Sequence, residues 1–331
     1  MQAAMTKRLP GLEALRGIAA LIVAYNHAAY FSGYGDFGKT ILVRGHVSVD
    51  LFFMLSGFVL ARAFESRMPQ SLDFLIMRFK RLWLLLVIGV ALGGLHFAMQ
   101  GLSAETLMPY LVFGLILPMI GYQIALNPPA WSIFFELLAN WFHAAILKDF
   151  GMASLIAVSL VCAIVMLPYL GAHGTHMGHE AETFWLGVPR VIMSYSLGIV
   201  LYRWNGDRER ISIHFAWPLL LLFPLLVGLI SQADDLRFEL LFVIIVSPVM
   251  MLGALSLPYS RLACKLGAIS FPLYAVHAPV QWMVLAAGGN FIVAFLVSIA
   301  AGLGVGLAFD ANCRRTFGFL PRPITANQPQ V

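Results

Sequence analysis

Charged residues are scarce in this sequence. Only 11% of its 331 residues are Asp, Glu, Lys or Arg, whereas 60% are hydrophobic and the mean hydropathy is +0.84. A water-soluble domain carries roughly 25% charged residues, so this chain has too little charge to coat a soluble particle of its size. The shortage excludes the soluble classes and predicts an all-α integral membrane protein, because several apolar runs approach the ~20 residues that cross a bilayer.

Cysteine is also scarce. Cys162, Cys264 and Cys313 show no metal-ligand spacing, and an odd, scattered set provides no disulfide framework, so we interpret them as packing residues. A concentrated basic region is missing as well, since the net charge of +5 is spread over short clusters between apolar runs. That placement is typical of an orientation signal and argues against a nucleic-acid partner.

The apolar runs predict ten membrane-spanning helices. They cover about 12–31, 47–64, 82–99, 131–147, 153–170, 184–204, 214–230, 238–255, 267–286 and 291–310. Lys7 and Arg8 could begin a signal peptide, but Arg16 interrupts the first run and the run continues past Ala29, which favours a membrane helix. Because the two ends leave no room for a soluble domain, we expect residues 1–331 to form a single membrane domain.

Basic residues orient the predicted spans. If the shorter stretch 107–122 does not cross, only four of the 21 Lys and Arg residues lie outside, namely Lys39, Arg44, Arg190 and Arg237. An eleventh crossing would move several basic clusters outside, against the positive-inside rule. We therefore predict ten spans with both termini in the cytoplasm, in a plasma membrane such as the bacterial cytoplasmic membrane. The stretch 107–122 becomes a re-entrant or interfacial helix.

Ionisable residues at membrane depth are costly and are therefore candidates for function. Arg16 and His27 are 11 residues apart on the first span, which places them on one helix face and ~16 Å apart along its axis. Arg16 alone could extend to the interface and His27 alone could bond a carbonyl. Their position on a common face favours a functional role.

Three more ionisable residues have both a functional and a structural interpretation. Glu136, at the outer start of the fourth span, could orient a histidine or be a solvated carboxylate stabilised by the helix dipole. His277, halfway along the ninth span, could bind substrate, act as a second acid–base group or be structural. Asp50, near the outer end of the second span, could pair with His27 or His46, or face solvent.

Two polar clusters lie between spans. Arg78, Lys80 and Arg81 precede the third span, and from charge alone they indicate an orientation signal and contact with anionic lipid. One outer loop has three histidines and a carboxylate that could hold a metal, but its glycines favour a flexible segment and we expect no metal. Those loop residues are His173, His176, His179 and Glu180.

Five motifs, taken in order along the chain, resemble the acyltransferase-3 family of membrane acyltransferases. Arg16 followed by His27 is similar to the family's Arg-x10-His signature, and residues 49–58 are similar to its second-helix motif. The other matches are Phe74, Arg78, Arg81 and Leu82; Trp131, Ser132 and Glu136; and Leu273, Tyr274, His277 and Pro279. The chain differs from the family's usual residues at three places, namely 13–14, Leu84 and 140–142. These differences bear on which substrate is used rather than on the type of reaction.

The resemblance implies a function for these residues. It implies ten membrane helices, an acyl-CoA donor with acetyl as the default group, and a carbohydrate or glycolipid acceptor at the outer face. His27 would be a general base or an acyl carrier, oriented by Glu136 or Asp50. The implied site consists of His27, Glu136, Arg16 and Asp50 for catalysis, Arg78, Arg81 and Arg16 for the donor, and Trp131, Ser132, His277 and Tyr274 for substrate contact.

Two other classes of function stay open. One is a proton-coupled transporter or flippase for a glycan or lipid intermediate, in which Arg16, His27 and Glu136 would line a proton or anion path. The other is a partner in assembly or lipid interaction without turnover. No inverted pair of broken helices stands out in the sequence, which counts against a secondary transporter.

Overall fold

The computed structural model describes residues 9–33, 41–116, 126–205, 216–233 and 235–316, and within these ranges the chain forms helices and no strand. The predicted all-α class is confirmed for these residues. The helices are α1 Pro10–Phe31, α2 Val47–Phe64, α3 Ser71–Met99, α4 Ala104–Ile116, α5 Ala130–Ala145, α6 Met152–His173, α7 Gly187–Asn205, α8 Ala216–Ser231, α9 Phe238–Ala254, α10 Arg261–Ala286 and α11 Phe291–Thr316.

The predicted count of ten crossings is not confirmed, although the described residues contain a helix at every predicted span. Six helices there are long and apolar enough to cross a membrane, namely α2, α3, α6, α7, α10 and α11. α5 and α8 have 16 residues each, fewer than the ~20 of a straight crossing. α1 has 22 residues but includes Glu13, Arg16 and His27, which reduce its apolar character.

The shorter segment 107–122 is helical in its first part. α4 has 13 residues, about 20 Å of helix, which is less than the ~30 Å thickness of the hydrocarbon core. Residues 117–125 lie outside the described residues, as do Lys7, Arg8, Lys39 and the start of the predicted span 214–230. The re-entrant helix and the orientation of the chain therefore stay predictions.

Apolar side chains cover the periphery of the bundle. On α6, Leu160, Val161 and Ile164 are each more than half exposed, and α11 carries a similar row that includes Leu296 and Leu307. Exposure of long apolar rows is unfavourable in water but is expected against lipid tails. The surface thus agrees with the membrane character predicted from the composition.

α1 forms the centre of the bundle. It packs most extensively against α10 and also contacts α2, α8, α9 and α11. α1 and α10 run in the same direction, since Gly17 lies against Leu266 near both starts and Gln281 donates to the Ala24 carbonyl (2.8 Å) toward both ends. A Cβ on Gly17 would come within 2.6 Å of the Leu266 Cβ, so only glycine allows this close approach.

Two prolines shape α10 around the residues of the predicted fifth motif. Pro279 has no N–H group and leaves the Ala275 carbonyl without its helical donor. The side chain of Asn127, just before α5, supplies the missing hydrogen bond at 2.9 Å. This contact fixes the start of α5 against the part of α10 that carries Tyr274 and His277.

Candidate active site

A cavity of about 170 Å³ opens between α1, α2, α3, α5 and α10. Three arginines line it, namely Arg16 from α1 and Arg78 and Arg81 from α3, together with the carboxylate of Glu136 from α5. The rest of its wall is mainly apolar, including Phe52 and Phe271. We call this space the arginine cavity. The structure therefore brings together the three arginines that the sequence motifs assign to the donor.

Glu136 is paired with Arg78 inside this cavity. Its Oε1 accepts hydrogen bonds from Arg78 Nη2 at 3.1 Å and from Ser56 Oγ at 3.0 Å. Neither Arg16 nor Arg81 forms an ion pair with a described residue, so the cavity has more positive than negative charge. The hypothesis that Glu136 orients His27 is corrected, because the carboxylate is held by Arg78.

Tyr274 and Ser132 form the wall of the arginine cavity on the α10 side. Their hydroxyl groups are 2.6 Å apart, and Ser132 Oγ also donates to the Pro129 carbonyl at 3.0 Å. The Tyr274 ring contacts Phe52 on one side (centroids 5.5 Å apart) and His277 on the other (5.8 Å). Tyr274 thus connects the arginine cavity with the histidines beyond it.

His27 is hydrogen-bonded to His277. The distance between His27 Nδ1 and His277 Nε2 is 2.7 Å, although the two residues are 250 positions apart in the sequence. His277 is fully buried, and its Nδ1 lies 3.0 Å from the Leu273 carbonyl oxygen. His27 is half-buried and stacks on Phe31 at a centroid distance of 5.5 Å. We call these two residues the histidine pair.

Asp50 belongs to a buried ion pair instead of contacting His27 or His46. Both Asp50 and Arg190 are fully buried, and the guanidinium binds the carboxylate with two nitrogens, Nη2–Oδ2 at 2.7 Å and Nε–Oδ1 at 3.0 Å. The hypothesis that Asp50 orients His27 is therefore also corrected, because Arg190 occupies both its oxygens. A buried carboxylate requires a compensating cation, but the sequence does not indicate which one.

Arg190 extends this ion pair to the outer loop and to Trp131. Its Nη1 donates to the Met177 carbonyl at 2.9 Å, and its guanidinium lies 5.2 Å from the centre of the Trp131 ring. Trp131 does not line the arginine cavity; its ring also faces Phe53 and His179. The prediction from charge places Arg190 on the outer side of the membrane but gives no sign that it is fully buried and paired with Asp50.

A second set of polar residues holds the loop before α7 against the start of α2. Glu239, 1% exposed on α9, accepts from His46 Nε2 at 3.0 Å and from the Thr175 hydroxyl at 3.1 Å, and its Oε1 is 3.4 Å from Arg44 Nε. Sequence reasoning missed Glu239. The one available signal was a carboxylate at the start of an apolar span.

The loop histidines are close to one another. The rings of His176 and His179 stack at 3.8 Å, and His176 is 4.7 Å from His46. The described residues include no group of three or more His, Cys, Asp or Glu side chains placed to hold a metal ion. Burial lowers the pKa of His179 to about 4, with Glu180 opposing and Arg190 reinforcing the shift, so His179 is neutral at pH 7.

Comparison with known proteins agrees with the motifs. The acyltransferase-3 family model, described as an acyltransferase domain, matches residues 9–311. The chain is similar to acyltransferase MdmB of Streptomyces mycarofaciens, with 25% identity over 98% of each chain. It is also similar to protein 2 in the picA locus of Rhizobium radiobacter, with 32% identity over 47% of this chain and 91% of the relative. No solved structure matches the chain.

Proposed function

This chain belongs to the acyltransferase-3 family, and from that membership we propose that it transfers an acyl group from acyl-CoA to a hydroxyl group of a carbohydrate or glycolipid. The acyl group that we favour is acetyl. One observation carries the proposal: the arginine cavity and the histidine pair are connected through Tyr274. One end suits a polyanion, and the other suits proton transfer.

The arginine cavity is the proposed entry for the donor. CoA carries phosphate groups, and guanidinium groups bind phosphate with paired, charge-assisted hydrogen bonds. Arg16 and Arg81 have no carboxylate partner among the described residues, so they are free to bind an anion. Glu136 has a positioning role in this proposal, since it fixes the Arg78 side chain in the cavity wall.

Acyl transfer itself is assigned to His27. As general base it takes the proton of the acceptor hydroxyl while that oxygen attacks the thioester carbonyl carbon. The new C–O bond forms, the C–S bond breaks, and the proton passes from His27 to the departing sulfur to give the CoA thiol. Tyr274 and Ser132, whose hydroxyl groups are hydrogen-bonded to each other in the cavity wall, are proposed to contact the substrate on its path from the arginine cavity toward His27.

The proposed location is a plasma membrane, and for a bacterial protein the cytoplasmic membrane. The arginine cavity would face the cytoplasm, where acyl-CoA is made, with both termini on the same side. The excess of basic residues predicted for that side supports this orientation. The histidine pair would then meet the acceptor at the opposite face.

A thiol-release assay tests the proposed function. The protein is purified, placed in lipid nanodiscs and incubated with acetyl-CoA and a surface-glycan fraction. The release of free CoA thiol is followed over time, and the mass of the glycan is measured by mass spectrometry. We expect thiol release that requires the glycan and a mass increase of one acetyl group. Glycan uptake into sealed proteoliposomes that contain the same protein, without thiol release, would indicate a transporter. Absence of both uptake and thiol release would indicate a non-catalytic partner, and either result contradicts the proposal.

A further inference from the structure

The contacts of the histidine pair determine which ring nitrogens carry hydrogen. A neutral imidazole has one N–H donor and one acceptor nitrogen, and a backbone carbonyl can only accept. His277 Nδ1 lies 3.0 Å from the Leu273 carbonyl oxygen. A hydrogen bond between these atoms requires the hydrogen to be on Nδ1 of His277.

The state of His277 determines the state of His27. With its hydrogen on Nδ1, neutral His277 presents a lone pair at Nε2, and that atom is 2.7 Å from His27 Nδ1. The hydrogen of this second bond must therefore come from His27 Nδ1. His27 is left with its lone pair on Nε2, the ring nitrogen that the histidine pair does not use.

The opposite arrangement is disfavoured by the surroundings. A doubly protonated His277 would carry a charge while fully buried, and a buried charge needs an ionic partner. Among the described residues no carboxylate hydrogen-bonds either ring, since Asp50 is bound to Arg190 and Glu136 to Arg78. Both rings are therefore neutral before reaction.

We infer that His277 is the positioning residue of His27, holding it in the tautomer whose Nε2 is free to accept a proton. This inference rests on the proposed function and replaces Glu136 and Asp50 in the orienting role. The arrangement is a relay from the Leu273 carbonyl through His277 to His27. When His27 Nε2 accepts the proton of the acceptor hydroxyl, the charged His27 ring keeps its Nδ1–H hydrogen bond to the His277 lone pair, which stabilises it.

The backbone makes the relay rigid at its far end. Leu273 lies where α11 packs closely against α10, because a Cβ on Gly302 would be 2.8 Å from the Leu273 Cα. A displacement of the Leu273 carbonyl is thus restricted by the neighbouring helix. Catalytic histidines in other enzymes are oriented in the same way by a fixed acceptor at Nδ1, most often a carboxylate.

Two readouts test the inference, one of them independent of activity. Solid-state NMR of ¹⁵N-histidine-labelled protein in bilayers distinguishes the protonated from the unprotonated ring nitrogen, and the His27 signals are identified by their loss in His27→Asn. We expect the hydrogen of His27 on Nδ1 in the unchanged protein. We expect it to move to Nε2 in part or in full in His277→Phe.

Kinetics of three variants supply the second readout. His277→Phe should lower kcat by about 10²–10⁴-fold with the KM for acyl-CoA unchanged, whereas His277→Gln, which keeps an acceptor oxygen, should retain activity within about tenfold of the unchanged protein. His96→Phe, a histidine at the same end of the bundle but outside the pair, is the control and should be near normal.

The outcomes separate this inference from the proposed function. A hydrogen on His27 Nε2 in the unchanged protein, or equal kcat values for His277→Phe and the control, would overturn the inference while leaving acyl transfer intact. A protein with the hydrogen on Nδ1 but without acyl transfer would support the relay and contradict the proposed function. If His277→Phe does not fold, the inference is still tested by the position of the His27 hydrogen in the unchanged protein and by the activity of His277→Gln.

Discussion

The two ends of the site differ in how their charges are balanced. In the arginine cavity three guanidinium groups face one carboxylate, so positive charge is left over. At the opposite end the permanent charges form buried ion pairs, Asp50 with Arg190 and Glu239 with Arg44. The histidine pair is left there as neutral rings joined by a hydrogen bond.

The difference indicates that the two ends bind different chemistry. Uncompensated arginines stabilise an anion but cannot exchange a proton near neutral pH. A neutral imidazole does the reverse, because it exchanges protons readily and carries no charge to hold an anion. The phosphate groups of a thioester donor therefore suit the arginine cavity, and the hydroxyl group of an acceptor suits the histidine pair.

The largest effect is expected from removal of His27. His27→Ala should lower acyl transfer by about 10²–10⁴-fold, the range of general acid–base catalysis, because it removes the Nε2 atom that accepts the proton of the acceptor hydroxyl. Binding of acyl-CoA should be unchanged, since the arginine cavity is intact. His96→Ala is the matched control, and equal activity of the two variants would remove His27 from the chemistry.

Breaking the buried ion pair should affect folding more than binding. Asp50→Ala leaves Arg190 charged, fully buried and unpaired, which costs about 3–5 kcal/mol of unfolding free energy. Denaturant titration in detergent measures this loss, and Asp73→Ala, at an exposed position on α3, provides the control. A stability equal to that of the control would mean that the pair is not buried.

Removal of one arginine from the arginine cavity should weaken the binding of the acyl-CoA donor. Arg81→Gln eliminates a charge without a carboxylate partner, and a hydrogen bond to a charged group contributes about 1.5–3 kcal/mol, or roughly a 10- to 100-fold rise in the Kd of acyl-CoA. Lys80→Gln removes the same charge from the adjacent, exposed position and should leave Kd near normal. Isothermal titration distinguishes them, and equal Kd values would exclude Arg81 from the donor site.

In the loop before α7 the expected effect is a pH dependence of stability from His179. Its folded-state pKa of about 4 is below the ordinary 6.5, so the unfolded chain binds more protons between these values. The stability that neutral His179 contributes is complete above pH 6.5 and is lost as the pH falls toward 4. Unfolding curves of the unchanged protein and His179→Asn should converge over this range, and parallel loss in both would assign the effect to other groups.

The sequence predicted what local patterns determine. Apolar runs placed a helix at every predicted span, and the motif arginines Arg16, Arg78 and Arg81 do line one cavity. Helical spacing also placed Arg16 and His27 at different depths on α1. These features depend on residues within one helix or on a family motif.

Partners from distant helices could not be predicted from the sequence. His27 and His277 are 250 residues apart and Asp50 and Arg190 are 140 apart, so their pairing depends on how the helices pack. The sequence predicts that Glu136 orients His27, because both residues are expected near the outer face of the membrane. In the structure Glu136 instead accepts a hydrogen bond from Arg78, whose long side chain extends to the carboxylate from α3.

The measurement that tests the division between the two ends most directly uses sealed proteoliposomes of known protein orientation. Acetyl-CoA is placed on one side and a glycan acceptor on the other, and acetylation of the glycan is followed. We predict acetylation only when acetyl-CoA is on the side of the arginine cavity and the glycan on the side of the histidine pair. Acetylation only when both substrates share one side would contradict the account.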